Sequence, residues 1–318
     1  MKEVKVSQED AGQRFDKYLH KLLINASTGF LYKMMRKKNI TLNRKKATGK
    51  ESLQAGDQIQ IFFSDETFDK MCGRSEKASY FQELQQVGYP HVHVIYEDVD
   101  ILVMNKPAGV LSQKSEAGSV SLNEEMLSYL IHTKQISEES FQTFHPSVAN
   151  RLDRNTSGLI LAGKTLKGQQ YLSACLKDRT VKKLYHCIVR GSVQKEQYLE
   201  GYLVKGKDNH VMISDKEQAD AKLIKTEYRP IKFGKEASLL EVHLITGRTH
   251  QIRAHLAEEG HGILGDPKYG GSNESFVKRF HYRHQLLHAY SITFPDGKSF
   301  VAPEPEIFQT VCEAYGLK

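Results

Sequence analysis

Cysteine is scarce and scattered: Cys72, Cys175, Cys187 and Cys312 lie far apart and never in a Cys-x-x-Cys pair. Neither a disulfide framework nor a cysteine zinc site is expected, and reduced thiols in a cytoplasmic protein are. Long apolar runs are missing too. Stretches such as Ile101-Leu102-Val103-Met104 are far too short to cross a bilayer. The chain opens on Lys2, Glu3, Lys5, Glu9 and Asp10 with no apolar segment behind them, so no secretory signal is expected. Residues 17–50 contain no Asp or Glu but ten Lys and Arg, in a chain whose net charge is only +7. Such a local excess attracts a polyanion through phosphate contacts and counterion release. Phe30, Leu31, Tyr32, Met34, Met35, Ile40 and Leu42 are interleaved with these cations, which marks a folded basic module rather than a disordered tail.

With 39% hydrophobic and 26% charged residues, the 318-residue chain should fold as an ordinary globular protein of about two domains. Residues 1–63 read as a small domain. Apolar residues at helical spacing predict a helix over Arg14–Ile24, and a second from Ser27 or Thr28 to near Asn39. Short strands follow at Ile40–Leu42 and, after a Gly56-Asp57 turn, Gln58–Phe62. Residues 64–79 turn polar and lose periodicity, which predicts a linker. Residues 80–318 form a larger, strand-rich domain. Strands are predicted at His93–Tyr96, Ile101–Asn105, Leu159–Ala162, Leu184–Val189 and Ser238–Leu244. Ala289–Phe294 and Ser299–Val301 flank Pro295-Asp296-Gly297-Lys298, a hairpin signal. Helical patterns lie at Asn123–Ile131, Lys167–Lys177 and Thr249–Glu259. The order is too irregular for a doubly wound fold, so the class is α+β.

The chemistry centres on residues 145–165, HPSVANRLDRNTSGLILAGKT. Asp153 stands between Arg151 and Arg154, before a small polar turn and an apolar strand. A carboxylate at the mouth of a buried strand and bracketed by guanidinium groups should be charged and dry, which suits a nucleophile or charge stabiliser. Farther on, Tyr185 lies on a strand pattern with Cys187 and Val189 on its face. On a helix starting near Thr249, His250, Arg253, Ala254 and Ala257 share one face, and the small alanines leave room for a partner of Arg253.

RLDRNTSGLILAGKT resembles the catalytic motif of the RluA-type pseudouridine synthases. KKLYHCIVRG (182–191), LITGRTHQIRAHLAEEGHGILGDPKYGG (244–271) and NKPAGVLSQKS (105–115) resemble further motifs of that family. The resemblance implies that Asp153 is the catalytic aspartate, that Tyr185 packs at the target base, and that Arg253 pairs with Asp153. It makes Arg151 the candidate to fill the space left by the extruded base, with Arg154, Arg248 and His250 as further RNA contacts. One departure is visible: the position before Arg151 usually holds histidine in that family, and here it is Asn150. The implied fold is a mixed, mainly antiparallel sheet with a cleft across it. The first 63 residues resemble an S4-type RNA-binding domain, which implies RNA contacts from Lys33, Arg36, Lys37, Lys38, Arg44, Lys45 and Lys46.

Isomerising uridine breaks the C1′–N1 bond and closes C1′–C5, with no redox step, group donor or energy source. No cofactor, nucleotide or metal is therefore expected. Large-subunit (23S) ribosomal RNA is the expected substrate, with transfer RNA as the alternative, and a monomer is expected. Three rivals arise. Gly158–Thr165 matches the GxxxxGK[ST] phosphate-loop pattern, but its intervening residues are themselves the hydrophobic strand. His281, His284 and His288 could share a helix face as metal ligands, but Arg279 and Arg283 lie among them. A non-catalytic RNA-binding protein of the same fold would have lost Asp153, Tyr185 or Arg253, and all three are present.

Overall fold

Residues 1–61 close around a core of their own. In the computed structural model, which describes residues 1–8, 10–115, 119–141, 144–206, 210–214, 216–217, 220–270 and 274–318, this unit comprises β1 (Lys2–Lys5), α1 (Phe15–Leu22), α2 (Thr28–Arg36), β2 (Ile40–Leu42), β3 (Lys45–Lys46) and β4 (Gln58–Ile61). The strands pair in the order β1-β4-β2-β3. Phe15, Tyr18 and Leu19 of α1 and Leu31 and Met35 of α2 are buried with Ile40, Ile59 and Ile61 of the sheet. Ser27 Oγ accepts the Phe30 N–H and so caps α2. Lys33, Arg36, Lys37, Lys38, Arg44, Lys45 and Lys46 all lie exposed on α2, the turn after it and the β2–β3 hairpin.

Residues 64–79 are not the irregular linker that their polarity predicts. Ser64 caps α3 (Asp65–Cys72), and α4 (Arg74–Gln86) follows Gly73, which takes the left-handed conformation. Phe68 and Cys72 join the N-terminal core, whereas Phe81 and Leu84 join that of the larger unit. Each helix buries only two apolar residues in its core, with one more, Met71 or Tyr80, partly buried against it, too few to draw a legible stripe. Lys77 Nζ also donates to the Lys21 carbonyl, tying α4 to α1.

The larger unit is built on β5 (Val94–Glu97), β6 (Ile101–Lys106), β7 (Ser147–Val148), β8 (Ser157–Gly163), β9 (Lys182–Arg190), β10 (Gln197–Lys205), β11 (Val211–Ser214), β12 (Lys222–Phe233), β13 (Ala237–Leu244), β14 (Leu287–Thr293) and β15 (Ser299–Val301). They form an 11-stranded sheet in the order β11-β10-β12-β13-β9-β14-β8-β6-β5, with β7 beside β8 and β15 beside β14. Among the described residues β8 and β14 pair in parallel and the other neighbours are antiparallel. This is the expected α+β class. Helices α5 (Leu122–His132), α6 (Glu138–Phe141), α7 (Leu166–Lys177), α8 (Gln251–Glu258), α9 (Glu274–Phe280) and α10 (Glu306–Ala314) complete the unit.

β8 is apolar throughout because both its faces are covered. Leu159 and Leu161 belong to a cluster with Leu172 and Cys175 of α7, and Ile160 and Ala162 to one with Leu122 and Met126 of α5. Its parallel seam with β14 requires glycine at 158: φ is +112°, and a Cβ would stand 2.4 Å from the Ala289 carbonyl oxygen. The phosphate-loop pattern is therefore a strand, and its polar end is occupied. Lys164 Nζ pairs with Glu97 at 2.8 Å, and Thr165 Oγ1 donates to Asp100 at 2.6 Å. The three histidines share no helix face either: α9 stops at Phe280, and His288 lies on β14 between Ser157 Oγ and the Ala302 carbonyl. No helix is long and apolar enough to cross a membrane among the described residues.

Candidate active site

Asp153 sits in the turn between β7 and β8, where the Thr156 N–H reaches back to its carbonyl at 3.0 Å. That turn is braced from behind. Ser112 Oγ accepts the Leu152 N–H at 3.0 Å and donates to the Leu152 carbonyl at 2.9 Å. Lys106, fully buried, donates from Nζ to the carbonyls of Pro107, Val110 and Arg154 at 2.9, 2.9 and 3.0 Å. Burial pulls the Lys106 ammonium down to about 7, but its three acceptors use the full donor set of the charged form. Asn150 anchors the loop to β8, accepting the Leu161 N–H at 2.7 Å and donating to the Leu159 carbonyl at 3.3 Å.

The guanidinium that meets Asp153 is not one of its neighbours. Arg151 is exposed, and Arg154 turns away to donate from Nε to the Gly109 carbonyl at 3.1 Å. Instead, Arg253 of α8 places Nη1 at 2.7 Å from Asp153 Oδ2. Asp266 grips the same guanidinium from the other side, with Nε–Oδ2 at 2.7 Å and Nη2–Oδ1 at 2.8 Å. This two-pronged match of fork to carboxylate fixes the plane of Arg253. The side chains of Asp266, Arg253 and Asp153 are 0, 5 and 24% exposed, so the chain of charges runs from the core to the surface and ends on Asp153. Asp153 is thus not dry, as its sequence context suggests, but open to solvent at one oxygen: Oδ1 takes no hydrogen bond from the described residues.

Burial opposes charge on Asp266. The Arg253 hydrogen bonds and charge, with the N–H groups of Lys268 and Tyr269, outweigh it and hold the carboxyl below its usual range. Burial likewise opposes charge on Arg253, and Asp266 and then Asp153 hold it cationic. His250, at the start of α8, adopts the left-handed conformation (φ 56°). Its Nε2 stands 3.8 Å from Asp153 Oδ2, and its Nδ1 is 3.0 Å from the Tyr269 hydroxyl. Burial lowers the His250 pKa, which favours a neutral ring. The Tyr269 ring centroid is 5.1 Å from the guanidinium carbon of Arg253. Tyr185 on β9 is buried, and burial followed by the charge of Asp153 raises its phenol, which stays protonated at neutral pH. Both Tyr185 and Asp153 line an open cleft of about 600 Å³, a size typical of ligand sites.

The chain that carries this site has relatives among known proteins. A sequence profile of the RNA pseudouridylate synthase family matches residues 100–258, half of the chain. The chain belongs to that family. Ribosomal large subunit pseudouridine synthase C of Vibrio cholerae is 27% identical over 298 residues, spanning 92% of this chain and 88% of that protein. An RNA pseudouridine synthase of Mycoplasma genitalium is 30% identical over 91% of this chain and 88% of its own. Ribosomal large subunit pseudouridine synthase D of Neisseria meningitidis is 29% identical over 95% and 78%. Among solved structures, human RNA pseudouridylate synthase domain containing 4 superposes with a TM-score of 0.58 at 18% identity, covering 77% of this chain and 98% of its own, which shows the shared fold.

As an RNA pseudouridylate synthase the protein is an isomerase that converts uridine in RNA to pseudouridine. Of the residues singled out in the sequence, Asp153, Tyr185, Arg253, His250, Arg151 and Arg248 all line the synthase cleft. Arg154 does not, and the cations of residues 33–46 lie on the N-terminal unit. Sequence reasoning passed over Asp266, Tyr269, Lys106, Arg179 and Lys183. Asp266 and Tyr269 lie inside the quoted 244–271 block, and Lys106 inside 105–115, but no residue spacing says that they converge on Arg253 or on the Asp153 turn.

Proposed function

We propose that this synthase isomerises uridines of large-subunit ribosomal RNA in the cytoplasm, with Asp153 as the carboxylate that acts at C1′. The observation that carries the reading is the division of labour within Asp153, which lines the cleft: Oδ2 is held by Arg253 at 2.7 Å, while Oδ1 takes no hydrogen bond from the described residues. Such a group assists cleavage of the C1′–N1 bond, as the carboxylates of glycosidases do. The uracil then turns, C1′–C5 closes, C5 loses its proton and N1 gains one, so the reaction balances without a co-reactant. Tyr185 packs on the base and offers its hydroxyl for the proton at C5. Arg151, exposed on the cleft rim, fills the stack that the flipped uridine leaves. The choice of ribosomal RNA follows the names of the Vibrio and Neisseria relatives.

The test is direct. Unmodified large-subunit ribosomal and transfer RNA transcripts are incubated with the enzyme, and pseudouridines are mapped by carbodiimide-dependent primer-extension stops. Stops at discrete uridines of the ribosomal transcript are expected. Modification confined to transfer RNA would overturn the substrate, and none in either would overturn the reading.

The N-terminal unit, which resembles S4-type modules, is assigned to docking RNA through its exposed cations on α2 and the β2–β3 hairpin. Because Phe68 and Cys72 belong to its core, the clean cut falls at Gly73. Deleting residues 1–72 should weaken binding and flatten the dependence of log K on log salt. If four or five of the cations touch phosphate, the slope falls by roughly three, at about 0.7 per contact. Turnover at saturating RNA should change much less. An unchanged slope in filter binding would reduce the cluster to a solvated face, and collapse of saturated turnover would make the unit part of the active site.

A further inference from the structure

Cations in and near the core of this protein are answered by partners. Arg253 has two carboxylates, Lys164 has Glu97, Lys106 has three carbonyls and Lys77 has the Lys21 carbonyl. Lys183 breaks the pattern. It lies on β9 two residues before Tyr185, so both side chains leave the strand on one face. It is half-buried in the cleft wall, yet its ammonium makes no hydrogen bond or ion pair with the described residues. Around it are more cations rather than an acid. Arg179, held in the left-handed conformation (φ 57°) just after α7, and Arg248 line the same cleft, and neither side chain forms an ion pair with the described residues. Burial and then the charge of Arg179 lower the Lys183 pKa. Gly247, the residue before Arg248, lies beside Lys183: a Cβ there would stand in ordinary contact, 3.6 Å from Lys183 Nζ.

Like charges gathered without a counter-ion destabilise a fold, and such fields concentrate where a charged ligand binds. We propose that Lys183, Arg179 and Arg248 form a phosphate-binding subsite that grips an RNA backbone phosphodiester flanking the target uridine and so registers that nucleotide over Asp153. Phosphate, rather than a carboxylate ligand, fits a cleft wall that combines one point-charge ammonium with two guanidinium forks, because it offers more oxygens for them to share. This assignment rests on the reading that RNA occupies the cleft.

The test uses the full chain and a synthetic RNA carrying a uridine that the wild type modifies. Lys183→Gln should weaken binding roughly ten- to a hundredfold, the range of one charge-assisted hydrogen bond, and flatten the salt slope by about 0.7. Lys183→Arg should keep most of the affinity. Lys195→Gln, an exposed lysine that does not line the cleft, should change little. Because Lys183 is unpaired, Lys183→Gln should melt no lower than the wild type. One methylphosphonate beside the uridine should weaken wild-type binding at least as much as Lys183→Gln does, and on that RNA Lys183→Gln should cost nothing further. An active wild type whose Lys183→Gln variant keeps its affinity and slope would overturn the subsite. So would a variant that melts well below the wild type, which would make Lys183 structural, or an equal loss in Lys195→Gln. A wild type that modifies no RNA would instead overturn the functional reading beneath it.

Discussion

Arg253→Ala should lose about two to three orders of magnitude in single-turnover rate and melt on the order of 10 °C lower. Two carboxylates depend on this one guanidinium. Asp266, with no exposed side-chain surface, would lose both prongs of the guanidinium fork while keeping the N–H groups of Lys268 and Tyr269. Breaking a buried pair from one side typically destabilises by about 3–5 kcal/mol. The sign of the pH dependence separates this from a simple packing defect. In the wild type the Asp266 pKa is lowered, so its contribution is present above the unperturbed 3.8 and is lost as pH falls through the native value. Without Arg253, burial dominates and raises that pKa, so the variant binds more protons folded than unfolded and gains stability as pH falls. The difference in melting temperature between wild type and variant should therefore narrow toward acid. A gap that stays constant between pH 8 and roughly 4 would show that Asp266 does not depend on Arg253 for its charge. Arg253→Lys should rescue little, since an ammonium cannot make the fork contacts to Asp266 and reach Asp153 together.

Asp153→Asn should lower the rate by about four orders of magnitude or more while sparing fold and RNA affinity. The amide is nearly isosteric with the carboxylate and can still accept from Arg253 Nη1. Arg253 also keeps both its bonds to Asp266. The lost ion pair is about a quarter exposed on the aspartate side, so solvent screening limits its worth to about 1 kcal/mol. What the amide cannot do is bear the charge that assists departure of the uracil. A variant that folds, binds and does not turn over is the expected result, measured by circular dichroism, filter binding and single-turnover assay in parallel.

Local chemistry was legible where a single segment carries its own reason. The buried β8, the Ser27 cap, the hairpin at Pro295–Lys298 and the basic face of α2 each follow from adjacent residues, and each is present. The α2 cations could be seen at once because no acid interrupts them. What residue spacing alone could not show is whatever depends on two distant segments meeting, and for Arg253 and Asp153 it was the family resemblance that paired them. Arg154 looked like a partner of Asp153 from one residue away, yet the turn points it at Gly109, and the partner comes from 100 residues downstream. Asp266 was hidden in the same way: its role exists only once Arg253 lies between it and Asp153. Strands β10, β11 and β12 escaped notice because they face solvent on much of both sides; only Ile224, Thr226 and Tyr228 of β12 are buried. Helices α3 and α4 were masked because each serves a different core with too few apolar residues to show a period.

The central claim is that the Asp153 carboxylate, steadied by Arg253, performs the isomerisation. Tritium release from 5-tritiated uridine in RNA tests it most directly, because the label leaves only when C1′–C5 closes and C5 gives up its hydrogen. With the same fraction of RNA bound, the wild type should release tritium in step with pseudouridine formed, and Asp153→Asn should release none above background. Substantial release by a folded, RNA-binding Asp153→Asn protein would contradict the claim and move the chemistry to another residue of the cleft.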